Sequence, residues 1–430
     1  MRFSAIAIGG AIATANAAAL GERSQFEERA AYAVVGKPEG FASSTTGGGS
    51  AACAIPSSVA QLKTWLTDST ARCIVLDKEY NFKGTEGTTT ETGCRPASNT
   101  CPGNGGQDAI NKASWCTNGN AGTGVKSVSV TYDTAGVSGI NVGSNKSIIG
   151  VGSKGVIRGK GLRMANGAKN VIIQNIHITE LNPQYIWGGD AITVDGGDLI
   201  WVDHVKISLI GRQMFVAGVG ASNRVTVSNS EFDGATSWSA SCDGHHYWAI
   251  YLTGSSDLIT LKGNYIHHTS GRSPKVGGNT LLHAVNNYWY ANSGHAFDIA
   301  AGGQVVVEGS VFQNVVSPLL ANSGKLFGSP STSSNTACTN YLGHACQLNA
   351  FGSSGSLGGT DTSFFTNFNG KVIASAAVAS SNIANNAGVG RQEMLCKAVG
   401  QAMLLLSCCP ADERLDAHFG DALTDDRMQY

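Results

Sequence analysis

The residues best suited to chemistry lie between Trp187 and Lys275. Asp190, Arg212 and Arg272 are charged groups in this stretch, and aromatic side chains stand beside them. Polar groups flanked by aromatic rings suit a sugar chain, because hydroxyl groups can be hydrogen-bonded while ring faces stack on the sugar. Positions 190 and 272 are far apart in sequence, so these charges form one site only in a fold that stacks distant segments.

Each of these residues also has a structural interpretation. Asp190 follows two glycines and could form a turn, and the two arginines could pair with exposed carboxylates. Trp248 could belong to the core. His204 is more readily explained as a residue of a repeating turn than as a catalytic residue. The prediction of a site therefore depends on the whole set.

No metal site is predicted. His267, His268 and His295 lack partners at a metal-ligand spacing, and the sequence contains no C-x-x-C motif. The adjacent Cys408 and Cys409 have no histidine at zinc-finger spacing. We therefore expect neither a cofactor nor a bound metal.

Six short segments that alternate apolar and polar residues predict the fold. They recur every few tens of residues, which is typical of a stacked solenoid. The segments are NVIIQNIHI (170–178), LIWVDHVKI (199–207), RVTVSNSEF (224–232), LITLKGNYI (258–266), LLHAVNNYW (281–289) and VVVEGSVFQ (305–313). Within one position, the same place in each is occupied by Asn175, His204, Asn229, Asn264, Asn287 and Ser310.

This repeat favours an all-β fold, a parallel β-helix with loop insertions that form a cleft on one face. Tight turns require Gly and Asn, and polar residues in register can bond to one another along the axis. The gaps between the segments contain no long amphipathic helices, which disfavours a βαβ fold. In such a solenoid, Asp190, Arg212 and Arg272 can converge on one face.

The composition supports this prediction. Of 430 residues 56 are Gly and 14% are charged, with 42% hydrophobic residues and a formal net charge of -1. Disordered chains combine low hydrophobicity with high charge, and nucleic-acid binders have an excess of Lys and Arg, so both classes are excluded. Stacked rungs need glycine at their turns and tolerate few charges in line.

The chain is predicted to enter an oxidising compartment. One arginine precedes an uncharged apolar stretch that ends in small residues, as in a secretory signal, and no later segment is long enough to span a membrane. The predicted organisation is a signal peptide at 1–19, a pro-segment or flexible N-terminus at 20–39, a single β-helix domain at 40–390 and a tail of unknown structure at 391–430. Ser43–Ser50 suggests a flexible linker, and a helix is expected over Ser57–Asp68.

Long motifs of this chain resemble the fungal pectin lyases, which share a polysaccharide lyase family with the pectate lyases. The resemblance runs from about Gly40 to about Gly390. It rests on WGGDAITV (187–194), WVDH (201–204), IGRQ (210–213), CDGHHYW (242–248), GNYIHHTSGRSPKV (263–276), LLHAVNNY (281–288) and GHAFDI (294–299). It implies a right-handed parallel β-helix and cleavage of methyl-esterified polygalacturonate by β-elimination.

The resemblance also implies three disulfides, Cys94–Cys116, Cys101–Cys242 and Cys338–Cys346. We add Cys53–Cys73, because these cysteines are close in sequence. Eleven cysteines leave at least one without an intrachain partner.

Carried over residue by residue, the resemblance assigns roles in the site. Arg272 would be the base, and around it would lie Arg212, Lys275 and Asp190. The residues that match the substrate cleft are Trp115, Trp187, Trp248, His246 and Tyr247. Two departures bear on the number of sugar subsites: Arg95 and its neighbours replace a tryptophan found in many fungal enzymes, and Met214 replaces an aromatic residue or histidine.

The implied reaction removes the C5 proton of a galacturonate and expels the glycosidic oxygen at C4, so it needs a base and a group that stabilises the enolate. An arginine base is unusual, because guanidinium normally stays protonated. Either Arg272 is the base, or it stays charged and stabilises the enolate while another group takes the proton. Arg212 stands where, by resemblance, calcium-dependent pectate lyases have an acidic ligand. We therefore expect no calcium requirement and a preference for esterified substrate.

Three other functions remain alternatives at this stage. A calcium-dependent pectate lyase needs more carboxylates than Asp190, Asp203 and Asp243 offer, and an inverting hydrolase needs a carboxylate cluster. A non-catalytic β-helix that binds pectin would retain the aromatic residues without the arginines. The expected partner is methyl-esterified pectin, with no nucleic acid or membrane, and the expected state is a secreted monomer.

Overall fold

Short strands rich in Val and Ile form most of the regular structure in residues 32–391, the part of the chain that this computed structural model describes. The predicted signal peptide at 1–19, the first part of the predicted segment at 20–39 and the predicted tail beyond Arg391 lie outside the described residues.

The strands and helices have the following bounds. The strands are β1 (Cys53–Ala54), β2 (Arg72–Leu76), β3 (Glu79–Asn81), β4 (Thr88–Arg95), β5 (Asp108–Ala109), β6 (Lys126–Asp133), β7 (Ile140–Asn141), β8 (Lys146–Gly150), β9 (Val156–Arg158), β10 (Leu162–Ala165), β11 (Lys169–Gln174), β12 (His177–Leu181), β13 (Tyr185–Ile186), β14 (Ile192–Asp195), β15 (Asp198–Asp203), β16 (Lys206–Ile210), β17 (Phe215–Ala217), β18 (Asn223–Ser228), β19 (Glu231–Asp233), β20 (Ile250–Leu252), β21 (Asp257–Lys262), β22 (Tyr265–His267), β23 (Lys275–Val276), β24 (Thr280–Val285), β25 (Tyr288–Ile299), β26 (Gln304–Glu308), β27 (Val311–Asn322), β28 (Lys325–Phe327) and β29 (Ala350–Gly352). The α-helices are α1 (Val59–Thr67), α2 (Thr332–Asn335), α3 (Thr339–Leu342) and α4 (Ile383–Asn386). Single 3₁₀ turns span Gly40–Ala42, Lys112–Ser114, Thr134–Val137, Thr336–Cys338 and Phe365–Phe368.

Nearly all strand pairs are parallel, and they form the predicted parallel β-helix. The groove sheet has the order β7-β10-β14-β17-β20-β23 and ends on the last residues of β25. The second sheet has the order β1-β2-β8-β11-β15-β18-β21-β24-β26-β28. The third sheet has the order β3-β9-β12-β16-β19-β22, followed by the first residues of β25, then β27 and β29. A side sheet of β13, β5, β4 and β6 lies outside the coil.

Side chains alternate between the two faces of each strand, so every second side chain points into the coil. Aliphatic residues in register fill this interior. One inward column of the second sheet contains Ile148, Ile173, Val202, Val227, Leu261, Ala284 and Val307. All of them are fully buried in one continuous core. The apolar positions of the predicted segments therefore lie inside the coil, and the loops after the third sheet are free to build a site outside it.

The turns between the second and third sheets separate the predicted polar ladder into two adjacent columns. The first residue of each turn has a left-handed backbone. In successive rungs this residue is Asn175, His204, Asn229, Gly263, Asn286 and Gly309. The second residue forms the ladder where it is polar, so the Asn264 main-chain N–H donates to Asn287 Oδ1 and the Asn287 N–H donates to Ser310 Oγ. His204 occupies a turn position, with φ 50°, as its structural interpretation predicts.

The prediction of a flexible linker at Ser43–Ser50 was wrong. This segment crosses the outer surface of the second sheet, where the Thr46 and Gly47 N–H groups donate to Asn170 Oδ1. Small residues allow this close approach, because a Cβ at Gly47 would collide with Ser147. Bonds between Val35 and Gln174 show that ordered structure begins before residue 40.

The predicted helix is confirmed as α1, which begins after Ser58, whose Oγ accepts the Gln61 N–H. Within residues 32–391 no helix has the length and apolar character needed to cross a bilayer.

The four predicted disulfides, Cys53–Cys73, Cys94–Cys116, Cys101–Cys242 and Cys338–Cys346, are present. The remaining cysteines, Cys396, Cys408 and Cys409, lie outside the described residues.

Candidate active site

One column of outward side chains forms the floor of a groove on the groove sheet. The strand register aligns Asn141, Arg163, Thr193, Val216, Tyr251, Lys275 and Asp298. Adjacent strands are about 4.8 Å apart, so Tyr251, Lys275 and Asp298 are immediate neighbours. Lys275 had been predicted from sequence, whereas Tyr251 and Asp298 had not.

Lys275 forms an ion pair in this floor, since its Nζ lies 2.7 Å from Asp298 Oδ2. Both residues lay within motifs already recognised in the sequence. Their pairing depends on the register between β23 and β25, however, and no local signal reveals it.

Asp190 fixes the loop that contains Arg212. Its Oδ1 accepts the main-chain N–H of Gln213 at 2.9 Å, and its Oδ2 lies 3.6 Å from Arg212 Nη1. The Arg212 guanidinium also stacks on Trp187, with Cζ 3.5 Å from the ring centroid. The structure thus brings together three residues that sequence reasoning had proposed.

The surroundings of Arg212 disfavour its charge. Burial lowers the pKa of Arg212, and the positive charge of Arg272 acts in the same direction. The carboxylate of Asp190 opposes this lowering. The two arginines are therefore close enough to interact electrostatically, as the sequence analysis expected.

Arg272 is surrounded by aromatic rings instead of carboxylates. Its Cζ lies 4.7 Å from the ring centroid of Trp248, 5.2 Å from that of Tyr251 and 5.6 Å from that of Tyr247. Within residues 32–391 it forms no ion pair with an acidic side chain. A guanidinium without a carboxylate partner can meet a negative charge on a ligand.

The predicted aromatic residues belong to one cluster beside the groove. Trp115, Trp187, Tyr247 and Trp248 pack together with the side-sheet residues Ala109 and Ile186. Trp115 and Trp248 are largely buried, being 9% and 8% exposed, and Trp187 is half-buried. The cluster therefore supports the arginines and leaves only part of its surface for a ligand.

His246 does not lie on the groove surface, so its predicted contact with substrate is wrong. It is 2% exposed, and its Nε2–H donates to the carbonyl oxygen of Arg212 at 2.7 Å. Burial lowers the pKa of His246 to about 4. A neutral, buried ring with this bond holds the Arg212 main chain, and the sequence motif alone could not distinguish this position from an exposed one.

The two departures noted in the sequence have different consequences. Met214 is fully buried in the core, so it does not shape the groove surface. Arg95 forms a two-bond ion pair with Asp108, at 2.9 and 3.0 Å. A charged pair thus stands in the side sheet where the resemblance leads one to expect an aromatic residue.

A cavity of about 630 Å³ continues the groove from Arg212 toward the N-terminal rungs. Its lining includes Lys112, Asn141, Arg163, Trp187, Asp190, Asp195, Arg212 and Tyr251. Pockets of this size accommodate several linked ring-sized groups. Both polar groups and aromatic rings line it, as the sequence analysis required for a sugar chain.

The carboxylates of this groove do not suit calcium, because each already has a cation as partner. Asp190 faces Arg212, Asp298 is bonded to Lys275, and Asp195 is bonded to Arg163. Calcium needs six to eight oxygen ligands, several of them charged.

A second group of possible metal ligands, Glu231, Asp233 and His267, lies on the third sheet. Lys206 Nζ lies 2.9 Å from Glu231 Oε1 and 3.1 Å from Asp233 Oδ2, so an ammonium group already satisfies these carboxylates.

Fold and groove together define a class: parallel β-helix proteins with an arginine- and aromatic-lined groove on one sheet. The family model described as "Pectate lyase" matches residues 116–392. The chain belongs to this pectate lyase family.

Similar proteins include curated fungal proteins and solved structures. The chain is 60% identical over 367 residues to pectin lyase B of Emericella nidulans, covering 84% of this chain and 95% of that protein. It is 57% identical over 370 residues to a probable pectin lyase A of Aspergillus fumigatus, with the same coverage of 84% and 95%. A pectate lyase from Bacillus sp. N165, solved with trigalacturonate, is 20% identical with a TM-score of 0.51, covering 83% of this chain and 99% of that structure. This last likeness supports the fold.

Proposed function

We propose that this protein is a pectin lyase, which cleaves α-1,4 bonds between methyl-esterified galacturonate residues by β-elimination. The observation that carries the proposal is Arg272, an arginine without a carboxylate partner among residues 32–391, held between aromatic rings in the groove. The high identity to proteins named pectin lyases supports the same activity.

In the proposed reaction, a base removes the C5 proton, the electron pair of the C–H bond forms the C4–C5 double bond, and the C4–O bond breaks. The departing oxygen keeps the electron pair of this bond and takes a proton from water to become a hydroxyl group. Negative charge accumulates on the C6 ester oxygen before the leaving group departs. Arg272 either takes the proton or stabilises this charge, and Arg212 and Lys275 add positive potential nearby. Asp190 keeps the Arg212 loop in place.

Preference for the esterified polymer follows from the charges of the site. A methyl ester is neutral, so a single negative charge develops and the cations of the groove can stabilise it. A free carboxylate would require a second charge, for which calcium usually helps. Because the groove carboxylates already have cation partners, we propose that no calcium is required.

One assay tests this proposal against its rivals. Highly methylated and demethylated pectin are each incubated with the enzyme, with and without a chelator, while the ultraviolet absorbance of the unsaturated product and the formation of reducing ends are followed. We expect absorbance on methylated pectin that the chelator leaves unchanged. A chelator-sensitive signal on demethylated pectin alone would indicate a calcium-dependent pectate lyase. Reducing ends without absorbance would indicate a hydrolase, and neither signal would indicate a binding protein.

We also propose that the protein is a secreted monomer, with a signal peptide at 1–19 and a single catalytic domain at 40–390. Four disulfides among the described residues support an oxidising destination. N-terminal sequencing of protein from culture medium tests the cleavage site. Light scattering at assay concentration tests the monomer.

A further inference from the structure

The main chain of Arg272 is held by a histidine on a neighbouring strand. Arg272 has a left-handed backbone, with φ 45°, which is unusual for a residue with a side chain. Its carbonyl oxygen accepts the Ile250 N–H at 2.6 Å. Its own N–H donates to Nε2 of His295 at 3.1 Å, and this is the bond by which a side chain fixes the loop at this residue.

This bond can form in one protonation state of His295. A neutral imidazole accepts a hydrogen bond at the nitrogen without a proton, whereas both nitrogens of imidazolium are donors. Since Nε2 accepts the Arg272 N–H, the proton of the neutral ring must be on Nδ1. A second proton would place two N–H groups against each other and remove the bond.

The surroundings of His295 keep it neutral. The residue is 7% exposed, and the edge of Tyr247 packs against its ring, with centroids 5.8 Å apart. Burial lowers the pKa of His295 below the ordinary histidine value of 6.5, Arg272 and Lys275 lower it further, and Asp298 opposes them. Another nearby carboxylate is that of Asp243, which accepts a hydrogen bond from Ser293, two residues before His295 on the same strand.

We propose that His295 is a positioning residue for the elimination reaction, which holds the Arg272 main chain through Nε2 only while that nitrogen has no proton. The proposal rests on the function proposed above. We therefore expect kcat to fall at acid pH, where His295 becomes protonated. Substrate affinity changes less, because the groove floor and the aromatic cluster do not depend on this bond.

The test compares two amides at position 295. In His295→Gln, the amide oxygen can reach the place of Nε2 and accept the same N–H without titrating. In His295→Asn, the shorter side chain reaches only the place of Nδ1. We expect His295→Gln to retain kcat within about threefold at neutral pH and His295→Asn to lose about 10²-fold in kcat, with KM within about threefold.

The pH profile distinguishes positioning from a merely structural role. With highly methylated pectin, which has few titrating carboxyls, kcat of the wild type should decline below pH 6.5 as His295 takes up a proton. His295→Gln should keep its turnover into this acid range. His268→Gln is the matched control, because His268 is also partly buried with a lowered pKa but does not bond to Arg272. It should retain the wild-type profile. Thermal unfolding at each pH confirms that the proteins are folded.

Two outcomes overturn the inference. The first is that kcat of His295→Gln declines at acid pH in the same way as kcat of the wild type. This result is decisive even if His295→Asn does not fold. The second is a folded His295→Asn with wild-type kcat. Failure of the proposed function would be distinct, since the wild type would then release no unsaturated product from highly methylated pectin.

Discussion

Two arginines with the same charge have different surroundings, and we propose that they therefore have different roles. Arg212 is half-buried, faces Asp190 and stacks on Trp187, with Cζ 3.5 Å from the ring centroid. The Cζ of Arg272 lies 4.7 Å from the ring centroid of Trp248 and 5.2 Å from that of Tyr251, and Arg272 has no acidic partner among the described residues. A guanidinium with open donors can bind a developing carboxylate-like charge through two parallel bonds. We therefore propose that the chemistry centres on Arg272 and that Arg212 supports it.

Replacing Arg272 with lysine should remove most of the activity. Lysine retains the charge but presents a compact ammonium group in place of the planar guanidinium that lies near the rings of Trp248 and Tyr251. We expect kcat on methylated pectin to fall by about 10²-fold or more, equivalent to about 3 kcal/mol of transition-state stabilisation. The initial rate of ultraviolet absorbance measures this effect.

The matched control is Arg224→Lys. Arg224 is bonded to Asp198 on the second sheet, remote from the groove sheet. This variant should retain wild-type kcat. Wild-type turnover in Arg272→Lys would refute the assignment of Arg272 under either version of the mechanism.

The sequence predicts part of the site and leaves out residues that depend on register. Motifs identified Asp190, Arg212 and Arg272, which the structure places together. Tyr251 and Asp298 reach the groove floor through pairings between strands, and these depend on loop lengths that motifs do not report.

At the scale of elements, the turn between the second and third sheets illustrates what repetition can predict. Alignment of the segments located the polar ladder to within one position, since the rungs share one geometry. It could not separate the left-handed residue from the ladder residue, because Asn suits both. The ordered structure of the N-terminal segment was not predicted, because it depends on contacts that the repeat does not contain. Its bonds are to side chains of distant rungs, such as Asn170 and Thr260.

A buried carboxylate fastens another irregular segment to the second sheet. Glu308 on β26 accepts hydrogen bonds from His283 Nε2 at 2.8 Å, His344 Nε2 at 2.9 Å and the Gln347 N–H at 2.9 Å. The last two donors belong to the segment that contains Cys338–Cys346. The attachment of this segment to the second sheet therefore depends on charge as well as on packing.

Stability of this segment should depend on pH. Hydrogen bonds lower the pKa of Glu308 to about 2 despite its burial, so this contribution is present above the ordinary value of 4.5 and is lost as the pH falls toward 2. The bond to Glu308 raises the pKa of His344 above 6.5, so its contribution is present below 6.5 and is lost as the pH rises through the raised value. The element should be most stable between pH 4.5 and 6.5.

His344→Gln tests this dependence. Glutamine can donate to Glu308 but does not titrate, so the variant should be less stable than the wild type at about pH 5.5, by about 1 kcal/mol, and should approach it at about pH 8. Denaturant midpoints at both pH values measure the difference, with His245→Gln as a control in a loop remote from Glu308. An equal difference at the two pH values would contradict the role of His344 charge.

At the scale of the whole molecule, the stacked coil was predictable and the attachment of its loops was not. The coil repeats one local pattern, so its strands could be recognised from sequence. The loops contact one another across long stretches of chain. In the loop of Cys101, for example, Gln107 accepts the Trp248 Nε1–H at 3.1 Å. This contact supports the ring beneath Arg272 from more than a hundred residues away.

Removal of different disulfides should therefore have different effects on the stability and on the activity of the protein. Cys101–Cys242 closes a separation of 141 residues and Cys338–Cys346 one of 8. Chain-entropy arguments predict a cost of about 5 kcal/mol for a Cys101→Ser/Cys242→Ser double variant and about 2 to 3 kcal/mol for Cys338→Ser/Cys346→Ser. Denaturant unfolding of the two variants measures these costs.

Activity at a temperature where both double variants are folded gives an independent readout. Loss of Cys101–Cys242 releases the loop that supports Trp248 and Arg272, so kcat should fall, whereas Cys338–Cys346 is in the segment fastened to Glu308 and its loss should leave kcat unchanged. Equal kcat in the two variants would show that β-helix packing alone positions the Arg272 loop. A selective loss of kcat in the first variant would show that the long-range bridge is needed to hold the groove.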